Sequence, residues 1–292
     1  DPAEAVGLYF NALHLNPALT KIHHYLAQTL YDLYRGTQED AKETAVKLAQ
    51  KWAQFFPENP IAAHVCAALR GDCPDGASDN YVRELFDSFA ESFETTLRKV
   101  SYHVPDLLTE EMEKHPSGLR ILDAGCGTGL NGAVLKSKAS VLTGVDLSEK
   151  MIAAAQAKNI YDRLETENIV QFCQKNPEAF DFIVLADVVC YFGKLDLLAK
   201  AVKAALAEGG TVFLTAEKLN SDQDYVLQPS GRFAHSEAYL KTVLRTVGFE
   251  RVLLTTVVLR KENDLSVDGI MVTAKKMTEN LNSNLDNDDK ND

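Results

Sequence analysis

The sequence predicts an α/β fold: a largely parallel sheet that ends in an antiparallel hairpin, preceded by a separate all-α segment. Three observations carry that prediction. From residue 119 onward, short apolar runs alternate with helical patterns, as repeated βαβ units require. The last two strand-like runs, residues 249–259 and 269–274, are joined by a polar turn through Asn263 and Asp264. That connection is far too short for a crossover helix, so the two runs must pair antiparallel. Residues 1–70, by contrast, are helical by period and poor in strand signals.

Within that first segment, Ala5, Tyr9, Ala12 and Leu13 recur at helix spacing and stop at Asn16-Pro17. Ala41, Ala45, Ala49 and Ala53 recur every four residues and stop at Phe56-Pro57, 40 residues after the first proline. Small residues at that spacing let helices approach closely, and a proline after the last turn ends each one. Residues 71–78 are dense in Gly, Pro, Asp and Ser. This marks a linker over 71–79 between a helical domain, 1–70, and an α/β domain, 80–276. Residues 81–97 then form a helix with Phe86, Phe89 and Phe93 on one side, a stripe whose commoner fate is plain core. Pro105 suits the first turn of the next helix, which runs to Glu113.

The α/β part opens with the apolar run 119–122, then Asp123, and then glycines at 125, 127 and 129 ahead of a helical pattern. A strand feeding a glycine turn and a helix start holds a nucleoside-bearing ligand. Residues 127–132 satisfy G-x-G-x-x-G, the dinucleotide fingerprint. The alternative unit runs from Asp123 to Gly129 and places a carboxylate just before the glycines. Like charges repel, so that acid suits a cationic, phosphate-free nucleoside better than a pyrophosphate. Residues 139–146 read as the second strand and end on Asp146, whose two oxygens can accept from both hydroxyls of a ribose. Ser148 is free to cap the following helix. A short third strand with its exit spans 164–169, a fourth spans 180–186 and is apolar but for Asp181, and a fifth spans 211–216. A strand apolar on both faces suits a parallel sheet covered by helices.

Residues 122–129, Leu-Asp-Ala-Gly-Cys-Gly-Thr-Gly, resemble the first motif of the class I S-adenosylmethionine-dependent methyltransferases, and residues 145–151 resemble the second. The resemblance implies a Rossmann-like seven-stranded methyltransferase sheet with an antiparallel last strand, and S-adenosyl-L-methionine as cofactor. It implies cofactor contacts from Asp123, Gly125, Cys126 and Gly127, and ribose binding by Asp146. Leu147 and Met151 would line the adenosine pocket, with Asn168 and Ile169 at the exit of the third strand. The family commonly has Asp at position 168, so Glu167 competes with Asn168 for the adenine amino group. Ala186 and Asp187 would lie nearest the methionine part. Residues 86–93 resemble a helix that caps the cofactor in quinone-biosynthetic methyltransferases, which would bring Phe93 to the sulfonium through cation–π attraction. The N-terminal helices resemble a degenerate tetratricopeptide array, whose usual period is about 34 residues. The array begins partway through a repeat, so further copies are expected upstream. Residues 231–236 resemble a group of predicted methyltransferases with such extensions.

Composition narrows the partners. The 292 residues carry a net charge of −12, of which the Asn- and Asp-rich stretch 277–292 contributes −4, and that stretch reads as a disordered tail. Without a basic run, neither nucleic acid nor an anionic membrane is an expected partner. Mean hydropathy is −0.17, and no apolar run approaches the roughly 20 residues of a membrane span. Five cysteines with no C-x-x-C pair predict a reduced, cytoplasmic setting and no metal site. The methyl acceptor is expected to be a small molecule or a protein, with the helical repeats aiding its recognition or that of a protein partner. His235, on the segment after the fifth strand, leads His103 and Tyr191 as a general base. A non-catalytic nucleoside-binding scaffold and a dinucleotide-dependent oxidoreductase are the alternatives, the terminal hairpin counting against the second.

Overall fold

The computed structural model describes residues 2–16, 19–262 and 265–277. Pro17, the turn through Asn263 and Asp264, and the acidic tail after Met277 lie outside the described residues. Four helices come first: α1 (Pro2–Leu15), α2 (Thr20–Tyr34), α3 (Ala41–Phe55) and α4 (Pro60–Arg70). Consecutive helices pack together, and α1 also meets α3 while α2 meets α4. The alanine row of α3 faces inward, where Ala41, Ala45 and Ala49 are buried alongside Trp52. The Trp52 indole N–H donates to Nδ1 of His23 at 3.0 Å, which gives both buried groups a partner. Asn59 caps α4 by accepting from the Ala62 N–H, and Gly71 ends that helix at φ +78°.

The 71–78 loop is held down rather than loose. The Gly193 and Lys194 N–H groups donate to the Asp75 carbonyl, and the Ala77 N–H donates to the Tyr191 carbonyl. The Tyr225 hydroxyl donates to the Asp75 carboxylate at 3.2 Å. The expected helix over 81–97 is two helices, α5 (Asp79–Phe89) and α6 (Phe93–Lys99), with a break at residues 90–92. The break has a tertiary cause. Glu94 accepts from Thr128 at 2.8 Å and from Lys158 at 2.6 Å, which draws α6 down onto the glycine turn. The Ser92 hydroxyl donates to the Phe89 carbonyl and closes the end of α5.

After α7 (Val104–Glu113), the chain alternates as β1 (Leu119–Ala124), α8 (Gly132–Lys136), β2 (Ala139–Asp146), α9 (Glu149–Ala157) and β3 (Arg163–Thr166). It continues as α10 (Ile169–Lys175), β4 (Phe180–Leu185), α11 (Asp196–Ala205), β5 (Leu206–Lys218), β6 (Tyr225–Leu227) and β7 (Phe233–His235), and ends as α12 (Glu237–Thr246), β8 (Phe249–Glu262) and β9 (Leu265–Lys276). The parallel strands lie in the order β3-β2-β1-β4-β5; β9 runs antiparallel on β5 and β8 antiparallel on β9. The seven expected strands are all present. A small hairpin, β6–β7, is added: β7 pairs with Glu217 and Lys218 of β5, whose other edge is held there by β9.

Side chains of β4 alternate between two apolar layers. Ile183 and Leu185 pack with α10, α11 and α12, while Phe182 and Val184 pack with Val104, Leu108 and Met112 of α7. Strand order reverses at β1, between β2 and β4, so a crevice opens beyond the carboxyl ends of these strands.

Candidate active site

At that crevice, β1 ends and the backbone turns through Gly125, Gly127 and Gly129, all at positive φ (+79°, +52° and +76°). A Cβ on Gly125 would stand 2.4 Å from the Val188 side chain, so only glycine fits. The Gly125 and Cys126 N–H groups donate to the Val145 carbonyl at 2.7 and 3.0 Å, tying the turn to the end of β2. Asp146 ends that strand. Its Oδ2 accepts from the Gly127 N–H and its Oδ1 from the Ser148 N–H, both at 2.9 Å. Each carboxylate oxygen keeps acceptor capacity toward the crevice. Burial raises the Asp146 pKa, and the backbone donors of Ser148, Gly127 and Leu147 counter that shift. Ser148 caps α9, as its position in the sequence suggested, by accepting from the Met151 N–H.

A cavity of about 760 Å³ begins here, within the size range of ligand sites. Phe93, Gly125, Cys126, Gly127, Asp146, Leu147, Asn168, Ile169, Ala186 and Asp187 all border it. Three expected residues do not. Met151 is fully buried on α9, in contact with the protein interior. Asp123 lies beneath the glycine turn at 1% exposure, where its Oδ2 accepts from the Tyr161 hydroxyl at 2.7 Å. Burial pushes the Asp123 carboxyl up to about 6.

His235 is the third, and the expectation of a general base there is corrected. The segment after β5 folds back as β6–β7, which encloses the imidazole completely. Its Nε2 donates to the Gly193 carbonyl at 3.1 Å, and burial pushes its pKa down to about 4. His103 sits at the start of α7, paired with Asp106 and away from the cavity wall. Tyr191 does border the cavity, but burial drives its phenol well above the usual range, and Arg232 donates to its oxygen at 3.2 Å. The histidine in the wall is His24 of α2.

Asn168 occupies its expected place with its oxygen already engaged. Oδ1 accepts from the Val170 and Gln171 N–H groups as the cap of α10, and Nδ2 donates to both oxygens of Asp79 at 3.0 Å. Asp79, at the start of α5, borders the cavity and was not singled out from sequence. The competing Glu167 is turned to Lys175 and is absent from the cavity wall.

At the opposite end of the cavity lies a buried charge cluster. Arg232 donates to Asp187, to Glu217 at 2.5 Å and to Tyr191; Arg260 donates to Glu217 at 2.6 Å and to Glu262 at 2.7 Å. Asp187 holds a left-handed backbone, φ +60°, that costs a non-glycine residue about 1–3 kcal/mol. Arg232 and the Thr215 hydroxyl, which accepts from the Asp187 N–H at 2.9 Å, fix it there.

A reversed strand order, a glycine turn and a carboxylate at the end of β2 define a nucleoside-binding α/β protein. A family profile described as "Methyltransferase domain" matches residues 96–254. Human methyltransferase-like protein 27 is 30% identical over 184 residues, covering 61% of this chain and 72% of that protein. The mitochondrial ubiquinone biosynthesis O-methyltransferase of Rattus norvegicus is 31% identical over 119 residues, covering 38% of this chain and 34% of that protein, so the chain matches about a third of its length. The crystal structure of magnesium protoporphyrin IX methyltransferase from Synechocystis with bound S-adenosylhomocysteine superposes with a TM-score of 0.53 at 17% identity, covering 68% of this chain and all of that one. The chain belongs to the class I S-adenosylmethionine-dependent methyltransferases.

The residues present fit that cofactor. Asp146 offers acceptors for two hydroxyls, the Gly125 and Gly127 backbone comes close because a Cβ is missing, and the nearby side chains are apolar or acidic rather than basic.

Proposed function

We propose that the chain methylates a small molecule held between its N-terminal helices and the carboxyl ends of its strands. One observation carries this reading: a cavity extends from the glycine turn to α2, where His24, Gln28 and Tyr31 border it. S-adenosylmethionine, when bound, supplies an activated methyl group that leaves sulfur for a nucleophilic acceptor. The chain's own part is to bind, align and exclude water. Asp146 holds the ribose hydroxyls, Leu147 and Ile169 flank the adenine, and the Asp79 carboxylate accepts from its amino group in place of Asn168. Gly125, Cys126, Gly127, Ala186 and Asp187 border the methionine part. Phe93, whose ring lies 3.6 Å from where a Gly127 Cβ would stand, faces the sulfonium side. Asp123 supports the turn from below, through Tyr161, rather than touching the cofactor.

The 1–70 and 80–276 division serves here as two walls of one site, with 71–79 as the strap between them. Packing of α1 on α3 and of α2 on α4 supports reading the helices as a degenerate tetratricopeptide array. Five free cysteines support a reducing, cytoplasmic setting, and no described helix is long and apolar enough to cross a membrane. The test is calorimetry with S-adenosylmethionine, S-adenosylhomocysteine and NADH, followed by turnover of methyl-labelled cofactor on a cell extract. The reading predicts that the first two bind, that NADH does not, and that label enters the small-molecule fraction. Label confined to protein would contradict it.

A further inference from the structure

We infer that His64, in the N-terminal helices, is a positioning residue for the methionine end of the cofactor site: it grips the turn that carries Arg232, and Arg232 holds Asp187. This rests on the methyltransferase reading, in which Asp187 borders the methionine part, and it gives the helical segment a role in that reaction.

The contacts start on α4. His64 is buried, with its ring stacked on Tyr81 of α5 at a centroid distance of 3.8 Å. Its Nε2 lies 2.8 Å from the Gly231 carbonyl oxygen. A carbonyl only accepts, so the proton sits on Nε2 and the ring donates. Burial lowers the His64 pKa below its ordinary value, which keeps the ring neutral at pH 7.

The turn it grips lies beyond the hairpin's own ladder. β6 and β7 pair over three residues each, and the pairing ends at Leu227 and Phe233. Within the turn, the Gly231 N–H donates to the Gln228 carbonyl at 2.8 Å and the Gln228 N–H to the Arg232 carbonyl at 2.9 Å. These two bonds fix the shape of the turn but not where it stands. Gly231 is at φ +80°, and a Cβ there would come within 3.2 Å of the Tyr81 hydroxyl and 3.5 Å of the His64 ring. The backbone thus packs closely on α4 and α5, and the His64 hydrogen bond sets its place.

The next residue carries the effect to the site. The peptide whose oxygen His64 holds is the one whose nitrogen belongs to Arg232. Arg232 donates to Asp187, to Glu217 at 2.5 Å and to Tyr191 at 3.2 Å. Asp187 keeps its left-handed backbone only because its surroundings hold it there. A displaced turn would draw the guanidinium away from Asp187, and the wall beside the methionine part would relax with it. The adenine and ribose groups are held separately, Asp79 by Asn168 and Asp146 by the Gly127 and Ser148 backbone. Loss of the His64 hydrogen bond should therefore be felt by one end of the cofactor and not the other.

The test is calorimetry on the full chain with S-adenosylhomocysteine and with methylthioadenosine, which lacks the amino-acid part. The unaltered chain should bind both. If it binds neither, the methyltransferase reading itself is wrong and the inference falls with it. His64→Phe keeps a ring on Tyr81 and removes the donor. It is expected to weaken S-adenosylhomocysteine about tenfold while methylthioadenosine changes by less than about twofold. His64→Gln returns an N–H at the reach of Nε2 and should recover S-adenosylhomocysteine to within about threefold of the unaltered chain. Should His64→Phe not fold, His64→Asn makes the same comparison, because its shorter amide stops before the Gly231 carbonyl. A merely structural histidine would weaken both ligands alike or neither. Equal losses, an unchanged S-adenosylhomocysteine affinity, or a His64→Gln variant no better than the one lacking the donor would each overturn the inference.

Discussion

In the proposed function Asp146 is the residue on which cofactor binding turns: it links the Gly127 and Ser148 backbone segments and keeps acceptor capacity for the ligand. Hydrogen bonds to a charged group contribute about 1.5–3 kcal/mol each, so losing two in Asp146→Ala should weaken S-adenosylhomocysteine by roughly 100-fold or more, read by calorimetry. Asp123 makes a different prediction. Its folded-state pKa is raised to about 6 from 3.8 by burial, so its favourable contribution is full below about pH 4 and is lost as pH rises through 6. Asp123→Asn keeps an acceptor for Tyr161 and removes the charge. The variant should be the more stable protein at pH 7–8, by about 2–3 kcal/mol at most, with the advantage gone near pH 4. Urea denaturation at the two pH values checks this.

The residues legible in the sequence were those whose role is local. Gly125, Gly127 and Asp146 sit where a strand end meets a turn, and the chain alone specifies that meeting. Asp79 and Asn168 are 89 residues apart and touch only because the fold brings the first residue of α5 to the cap of α10. No spacing rule announces such a contact. His235 failed for a related reason: β6 and β7 have three residues each, too few for an alternating pattern to show which way a side chain points.

At the scale of elements, α6 buries none of its residues and is tied to the sheet domain through Glu94. Both halves of the 81–97 stretch have helical periodicity, so the sequence reads as one helix; the break at 90–92 comes from Glu94 reaching Thr128 and Lys158. Glu94→Ala removes both contacts. Hydrogen exchange over residues 93–99 should then quicken, and the cofactor should dissociate several-fold faster, since Phe93 would no longer be held against Gly127. Unchanged exchange there would mean that α6 is fixed by ring packing alone. The sheet was read more completely than the helices, because buried strands and glycine stops follow from composition. The one surprise, β6–β7, is also the element that carries Arg232 toward the cavity by way of the preceding turn.

Across the whole molecule, the helices and the sheet behave as one construction. The His64 ring lies 3.8 Å from that of Tyr81 and donates through Nε2 to the Gly231 carbonyl at 2.8 Å, while Ala68 packs with Leu227 and Phe233. These contacts couple a residue of α4 to the hairpin beside the active site. Trp52 is the chain's single tryptophan and is buried in the helical core, so its fluorescence reports on that core alone. Its urea transition should coincide with the one seen by far-ultraviolet circular dichroism. A fluorescence change at clearly lower urea would show that the helices melt independently, and that α2 is a detachable neighbour of the cavity.

The central claim is that the crevice beyond β1 and β2 holds S-adenosylmethionine, with its ribose on Asp146. A crystal structure of the chain soaked with S-adenosylhomocysteine tests this most directly. The account predicts both ribose hydroxyls on the Asp146 carboxylate, the adenine between Leu147 and Ile169, and the sulfur facing Phe93. A nucleoside bound elsewhere, or one whose ribose makes no contact with Asp146, would contradict it.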